Sequence, residues 1–477
     1  MSYSFTFNQQ RKEFVYCEEG KRRSAFAPIT RNLLNIPGRA GALLDSSQTN
    51  VRIIEQPIFF KGINNEDLRL LEEEISGWLV TDTPAPLIFD DEPHRTYYAI
   101  VDGRLDLEEA LFVEEGVITF LCLDPYKYGE LHDETFRGSE LSDPINLVNN
   151  GSALAFPHIT ITLSGPTTLL DIIGDEDYMR IGKPVTVDDT PFQKYETVWS
   201  DDGNTTVGWA SAGYVPDGGV NSGTMDAANG EFYASSYGSG ASWHGPALAK
   251  SIGLALSDYV VRAYLDVSSS NGSKRGRAEV YLLDASNRII GKVAAVIRKS
   301  TGDAEVEIAL RNGSIKHYVT SMDWTYKTFY GYLDIIKEGT SFSVSVAQQG
   351  NDGTKVYTRH KQQFSYLDIN NGFQSDLAAI GIHTATHGSA SPSKAAIRKI
   401  EVERINQKSN GISYIGKAGD VFEFVMEKAL ILKNGEPFMK KDFGSRFFQL
   451  KPGNNFFVLN SPSVIAEFNA KWRDSYK

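Results

Sequence analysis

The spacing of hydrophobic positions changes period several times along the chain, and each change marks an element. Near the start, Phe5-Thr6-Phe7 and Phe14-Val15-Tyr16-Cys17 read as short strands separated by a polar turn. A long polar loop is expected next, where Ile29 to Leu34 leads into Ile36-Pro37-Gly38-Arg39-Ala40-Gly41 and one Pro and two Gly permit an irregular path. Val51 to Phe60 alternates as a strand. Asn64-Asn65-Glu66-Asp67 then opens an amphipathic helix of about four turns, carried by Leu68, Leu71, Ile75, Trp78 and Leu79 at spacings of three and four. Strands are expected at Ala85 to Phe89, Arg95 to Val101 and Glu115 to Cys122, the last stopped by Pro125.

From about Asp143 the pattern becomes antiparallel β, with Pro157 to Leu163 alternating up to a turn at Ser164-Gly165-Pro166. The same kind of pattern returns only after Gly416. There Val421 to Phe424, an Asn434-Gly435 turn, Phe447 to Leu450, a Lys451-Pro452-Gly453-Asn454-Asn455 turn and a last strand through Phe468 follow at close spacing. Neither piece has enough strands to close a sheet, so each is expected to complete the other around an inserted domain. The expected map is an N-terminal α+β domain over 1–130, a discontinuous β sandwich over 131–189 and 412–477, and an insert over 190–411.

The middle reads as a second sandwich with almost no helix. Strand patterns recur at Tyr259 to Val267, Arg277 to Asp284, Ile289 to Val293, Ala304 to Leu310, Ser341 to Val346 and Lys399 to Ile405, with hairpin signals at Asn271-Gly272, Asn312-Gly313 and Asp352-Gly353. A jelly-roll or concanavalin-like sandwich is the simplest reading, similar in pattern to carbohydrate-binding modules and laminin-G-like domains. The fold class expected for the whole chain is therefore mainly β, with an α+β N-terminal domain.

Composition narrows the function classes. At 477 residues the chain fits about three domains. A formal net charge of -12 argues against sequence recognition of nucleic acid, which needs a basic excess. Cys17 and Cys122 sit in strand-like apolar surroundings and are expected as reduced thiols. The opening Met1-Ser2-Tyr3-Ser4-Phe5 shows no secretory pattern, and no apolar run approaches the roughly 20 residues that span a bilayer, so no membrane insertion is expected.

The two ends carry a resemblance. Asn35-Ile36-Pro37-Gly38-Arg39, Gly77-Trp78-Leu79, Arg95-Thr96-Tyr97-Tyr98-Ala99, and Phe120 with Cys122 to Tyr128, in that order, resemble the N-terminal half of the distal tail protein of long-tailed, non-contractile (siphovirus-type) bacteriophages. Leu450 to Asn455 and Lys471-Trp472-Arg473 are similar to that family's closing hairpin and final strand. The resemblance covers the two ends and not the middle. It implies a virion structural protein of the tail tip or baseplate, made in the host cytoplasm. It implies a homohexameric ring closed by a belt from the N-terminal domain, a galectin-like sandwich facing outward, and as partners the tail tube protein, a tail-associated hub protein and a receptor-binding protein.

Candidate chemistry concentrates between Trp199 and Trp243, where Trp199, Trp209, Tyr214, Phe232, Tyr233, Tyr237 and Trp243 stand among Gly, Ser and Asn. Sugars stack apolar C–H faces on aromatic rings while short polar groups take the hydroxyls. Each ring is either such a platform or a core anchor; Trp209, Tyr237 and Trp243 are the candidate saccharide-binding residues, with host cell-wall polysaccharide or teichoic acid as ligand. Asp201-Asp202-Gly203-Asn204 offers calcium-type oxygens but reads first as an Asp-Gly turn, and His383 and His387 are expected in a loop, so no metal and no cofactor are assigned. Glu72-Glu73-Glu74 and Glu108-Glu109 read as solvated helix or loop faces, and no nucleophile elbow or phosphate loop appears. No catalytic residue is assigned. The alternative is a cell-wall polysaccharide hydrolase on a tail fibre or tail tip, which would need paired carboxylates in the aromatic groove.

Overall fold

Strict alternation builds the N-terminal sheet. Along Arg52–Lys61 every second side chain is buried, so Ile54, Ile58 and Phe60 enter the core, and the strand pairs over its whole length with Val113–Cys122 in a nine-stranded sheet. The helix Asn65–Leu79 is capped by the Asn64 side chain, which accepts from the Asp67 amide, and it presents Leu68, Ile75, Trp78 and Leu79 to the sheet. Trp78 stacks on Phe5 at 5.1 Å and donates from Nε1 to the Phe7 carbonyl at 2.9 Å. Burial pushes the Cys122 thiol up to about 12, leaving it protonated.

The computed structural model describes residues 3–20, 22–110, 112–214, 216–319, 325–351 and 356–477. It divides into two units, Met1–Lys183 with Ile415–Lys477, and Pro184–Tyr414, against the 190–411 expected for the insert. The Asp352-Gly353 turn and the opening Met1-Ser2 lie outside the described residues.

In the first unit the discontinuous sandwich interleaves both flanks. Its six-stranded sheet orders Lys127–Arg137, Ile465–Tyr476, His158–Leu163, Val421–Val425, Leu430–Lys433 and Glu436–Pro437; its four-stranded sheet orders Ile145–Asn149, Gly453–Asn460, Leu169–Ile173 and Tyr178–Gly182. A core including Ile159, Ile161, Phe422, Phe424, Phe457, Phe468 and Trp472 fills the space between them. The first strand begins at Lys127, before the expected boundary at 131. Chain departure and return lie side by side: the Lys183 amide donates to Thr168 and the Ile415 amide to Thr167, at 2.9 and 2.8 Å.

Several sequence expectations are corrected. The polar loop after Cys17 is instead a hairpin, Ile29–Leu34 paired with Leu43–Thr49, because Pro37, Gly38 and Gly41 shape only its tip while Asn32 reaches Ser46 and Asn50 reaches Thr30 across the pair. Glu108 lies in a short strand, Leu107–Ala110, since its segment pairs with the start of Val113–Cys122. Phe447 to Leu450 forms no strand; Phe448 stacks on Phe457 at 4.8 Å, Leu450 is buried, and the single backbone bridge is to Ala155. The expected Lys451–Asn455 turn is half strand, because Gly453–Asn460 pairs from its first residue. The last strand runs on to Tyr476.

The second unit is a sandwich of an eight-stranded and a ten-stranded sheet, with no helix among its described residues. Alternate residues of Tyr259–Ser268, Gly276–Leu283, Ile289–Ile297, Ala304–Asn312, Thr328–Glu338, Leu377–His387 and Lys394–Ile405 meet in one core. The His383 and His387 segment is thus a central strand rather than a loop, because Ile380 and Ile382 alternate into that core beneath the Gly/Ser-rich continuation. The fold class stands as expected: mainly β, an α+β N-terminal domain, and a β sandwich interrupted by a second one. No helix among the described residues is long and apolar enough to cross a membrane.

Candidate functional site

The aromatic segment splits into anchors and accessible rings. Tyr214 and Phe232 are buried, and Trp199 and Trp209 pack against the core. Trp209 meets Phe232 edge-on at 5.3 Å and Trp199 at 6.2 Å, and its indole donates to Asp201 Oδ2 at 3.0 Å. Lys250 reaches the same oxygen at 2.8 Å and the Gly203 amide donates to Asp201 Oδ1. Asp201 therefore spends its carboxylate on neighbouring donors, and Asn204 Oδ1 accepts from the Gly230 amide.

Tyr237 and Trp243 are half-buried and stand outside that core. Both adjoin the strand Gly219–Asn221: Trp243 pairs with Gly219, and the Tyr237 carbonyl accepts from Ser222 Oγ, one residue beyond the strand, at 2.9 Å. Trp243 carries the Arg277 guanidinium 4.9 Å over its ring and His387 edge-on at 5.2 Å. Among the described residues no ring contact joins Trp209 to Tyr237 or Trp243. The three candidates occupy two places rather than one platform.

Sequence reasoning missed a buried ionic cluster on the outer face of the ten-stranded sheet. On Gly276–Leu283, Ala278, Val280 and Leu282 point into the sandwich, so Arg277, Glu279 and Tyr281 point out; Lys292, Glu305, Glu307 and His383 share that side on adjacent strands. The segment around Asp217 covers it: its amide donates to Tyr281 Oη at 2.9 Å and its carbonyl accepts from Arg277 at 2.8 Å. Glu279 is fully buried; it hydrogen-bonds Tyr281 Oη at 2.8 Å and His383 Nδ1 at 2.7 Å and forms ion pairs with Arg277 Nε at 3.1 Å and Lys292 Nζ at 3.4 Å. Lys292 also meets Glu307 at 2.8 Å and Asp217 at 3.3 Å. Glu305 holds Arg298 and Lys299, both at 2.6 Å.

Electrostatics fix the charge states. Burial pushes Glu279 up, but Arg277, Lys292 and the His383 bond outweigh it and hold the carboxyl well below the usual range. Glu307 and Asp217 are likewise held down by their cations against burial. Burial lowers His383, partly offset by Glu279, so its imidazole is neutral at pH 7. These carboxylates have no proton to give at neutral pH. Along these strands Arg-x-Glu-x-Tyr and Glu-x-Glu alternate with apolar residues as they would on a solvated face, so the sequence carries no signal of their burial.

In the first unit the feature that stands out is the hairpin Ile29–Leu34 with Leu43–Thr49. Every residue in it is exposed, and Leu33, Leu34 and Leu44 are 60%, 54% and 56% accessible. Among the described residues its two strands pair only with each other. An isolated two-stranded ribbon is marginal in water, and exposed leucines in a row mark an interface.

Comparison with known proteins bears on this half. Residues 11–122 match the family model described as phage tail protein RIFT-related domain. The distal tail protein of Bacillus phage SPP1 is 29% identical over 161 residues, which cover 34% of this chain. The chain is similar to a phage distal tail protein. It spans 62% of the length of that relative. Two solved structures also align: SPP1 Dit, with 11% identity, full coverage of both chains and a TM-score of 0.42, and the CBM2 module of the evolved Dit of Lactobacillus casei BL23 phage J-1, with 16% identity over 46% of this chain and 99% of that one, at 0.35.

Proposed function

We propose that the protein is a structural hub at the tip of a phage tail, forming a hexameric ring between the tail tube and the host-recognition proteins, with Pro184–Tyr414 as an inserted module that binds host cell-surface saccharide. The observation that carries this is the match of residues 11–122 to a phage tail family, joined to the distal tail relative. The exposed hairpin supports the ring, since its unpaired strand edges and accessible leucines offer each copy a surface for a head-to-tail contact that closes by rotation. Charge supports a DNA channel: the first unit carries 26 Lys and Arg against 37 Asp and Glu, the second 22 against 23, so nearly all of the acidic excess lies in the half that would line it. Native mass spectrometry of the full chain, alone and with the tail tube protein, should give a hexamer. Replacing Leu33, Leu34, Leu43 and Leu44 by Ser should dissociate it without lowering the melting temperature. A wild-type chain that stays monomeric in both conditions refutes the ring.

Of the candidate rings Trp209, Tyr237 and Trp243, the last two are the proposed saccharide-binding rings, with Trp243 foremost; Trp209, whose indole N–H is taken by Asp201 and which packs against the core, is read as an anchor. Binding rather than hydrolysis is favoured by the paired state of Glu279, Glu305, Glu307 and Asp217. A glycosidase needs one carboxyl that holds a proton near neutral pH. Asp334, which burial raises, is 1% exposed and faces Arg262 at 3.2 Å.

A further inference from the structure

We infer that the outer face of the eight-stranded sheet holds a second binding site, centred on Arg398, for an anionic saccharide polymer, one joined by phosphodiesters or bearing carboxylated sugars. This rests on the saccharide-binding reading of Pro184–Tyr414 and names the charge class of its ligand.

The site begins with a backbone irregularity. In a regular strand neighbouring side chains point to opposite faces. Lys394–Ile405 breaks that rule: opposite Tyr259–Ser268 its register moves from Tyr264↔Lys399 to Leu265↔Ile397, which leaves Arg398 as the extra residue of a bulge. Arg398 and Lys399 therefore both reach the outer face. The Arg398 guanidinium lies 3.7 Å over Tyr330 and 5.9 Å from Tyr264, and Lys399 lies 5.9 Å from the Tyr264 ring. Arg262 and Lys361 flank the next ring, Tyr332, at 4.4 and 5.5 Å.

Most charges on that face are paired, Asp266 with Lys394 at 2.6 Å among them. Asp334 pairs with Arg262 at 3.2 Å, and Glu401 pairs with Lys399 at 2.7 Å and accepts from Tyr264 Oη at 3.2 Å. Arg398 meets no carboxylate among the described residues. It donates from Nη2 to Gln349 Oε1 at 3.0 Å and to the Gly331 carbonyl at 3.4 Å, while its buried Nε has no acceptor. A half-buried guanidinium without a counter-charge is costly, and an anion docking over it removes that cost. Its stacking on Tyr330 pre-orients a planar fork of donors that matches phosphate or carboxylate oxygens. Gln349 and Gln363, on the same face, supply amides for the hydroxyls of the polymer.

The test measures binding of the full chain to polyglycerol phosphate, polygalacturonate and dextran at low and at moderate salt. Expected is retention of one or both anionic polymers over dextran, weakening as salt rises, with Arg398→Gln and Lys399→Gln each reducing it roughly tenfold. Lys399 is half exposed, so its variant reads the site even if Arg398→Gln lowers the melting temperature. Whichever anionic polymer is held tells phosphate from carboxylate. Equal retention of dextran, or variants that bind like wild type, overturns the site while leaving saccharide binding intact; retention of no polymer and of no host wall material sinks both. Salt-sensitive self-association abolished by Arg398→Gln would hand the face to an acidic protein surface and also overturn it.

Discussion

Replacing Glu279 by Gln tests whether the buried ionic cluster holds the second unit together. The substitution keeps the shape and leaves an acceptor for Tyr281 and His383, but it removes the negative charge beside Arg277 and Lys292, whose side chains are 5% and 4% exposed. Lys292 retains Glu307 and Asp217, while Arg277 is left with the Asp217 carbonyl and the Trp243 ring. Breaking a buried pair by removing one partner costs about 3–5 kcal/mol, whereas an exposed pair contributes about 0–1 kcal/mol. At about 2–4 °C per kcal/mol for a unit of this size, the transition of Pro184–Tyr414 should fall by about 6–20 °C in calorimetry of the full chain, and the other transition should stay. The pH dependence has a definite sign. Glu279 titrates lower in the folded state than its ordinary 4.5, so its contribution is complete above about pH 4.5 and fades as pH falls below that. The gap between wild type and variant should therefore shrink in acid. A shift under 2 °C at pH 7, or a gap that widens in acid, would refute the reasoning.

The neutral His383 predicts a second acid-sensitive term: its folded value lies below its ordinary 6.5, so the unfolded chain takes the proton first and stability declines as pH falls below about 6.5, a slope that His383→Gln should flatten in a melting series. Replacing residues 184–414 by a short Gly/Ser linker should leave the flanking β sandwich folded, because Lys183 and Ile415 are anchored to adjacent residues; loss of the β-type circular dichroism with aggregation would contradict this. Trp209→Ala should cost roughly 3 kcal/mol of stability, while Trp243→Ala should cost about 1–3 kcal/mol of saccharide affinity with little change in melting; the reverse assignment in a paired binding and melting assay would move the site.

The sequence by itself determined the elements whose burial shows as a period. Arg52–Lys61 and His158–Leu163 alternate because one face of each lies on a core, and Asn65–Leu79 repeats at three and four because one stripe of the helix does. The relation between the two ends was legible for the same reason, since unpaired strand patterns need partners. The hairpin Ile29–Leu34 with Leu43–Thr49 was not, because a ribbon exposed on both faces leaves no burial period to read. Nor was the ionic cluster: Arg277, Glu279 and Glu307 alternate like any solvated face, and the segment bearing Asp217, 60 residues before Arg277, folds across the sheet to meet them. The Arg398 bulge likewise depends on how two strands align, a relation between distant residues that local spacing does not encode. Local period reports whether a face is buried; which charges end up facing one another is decided by the packing of distant segments.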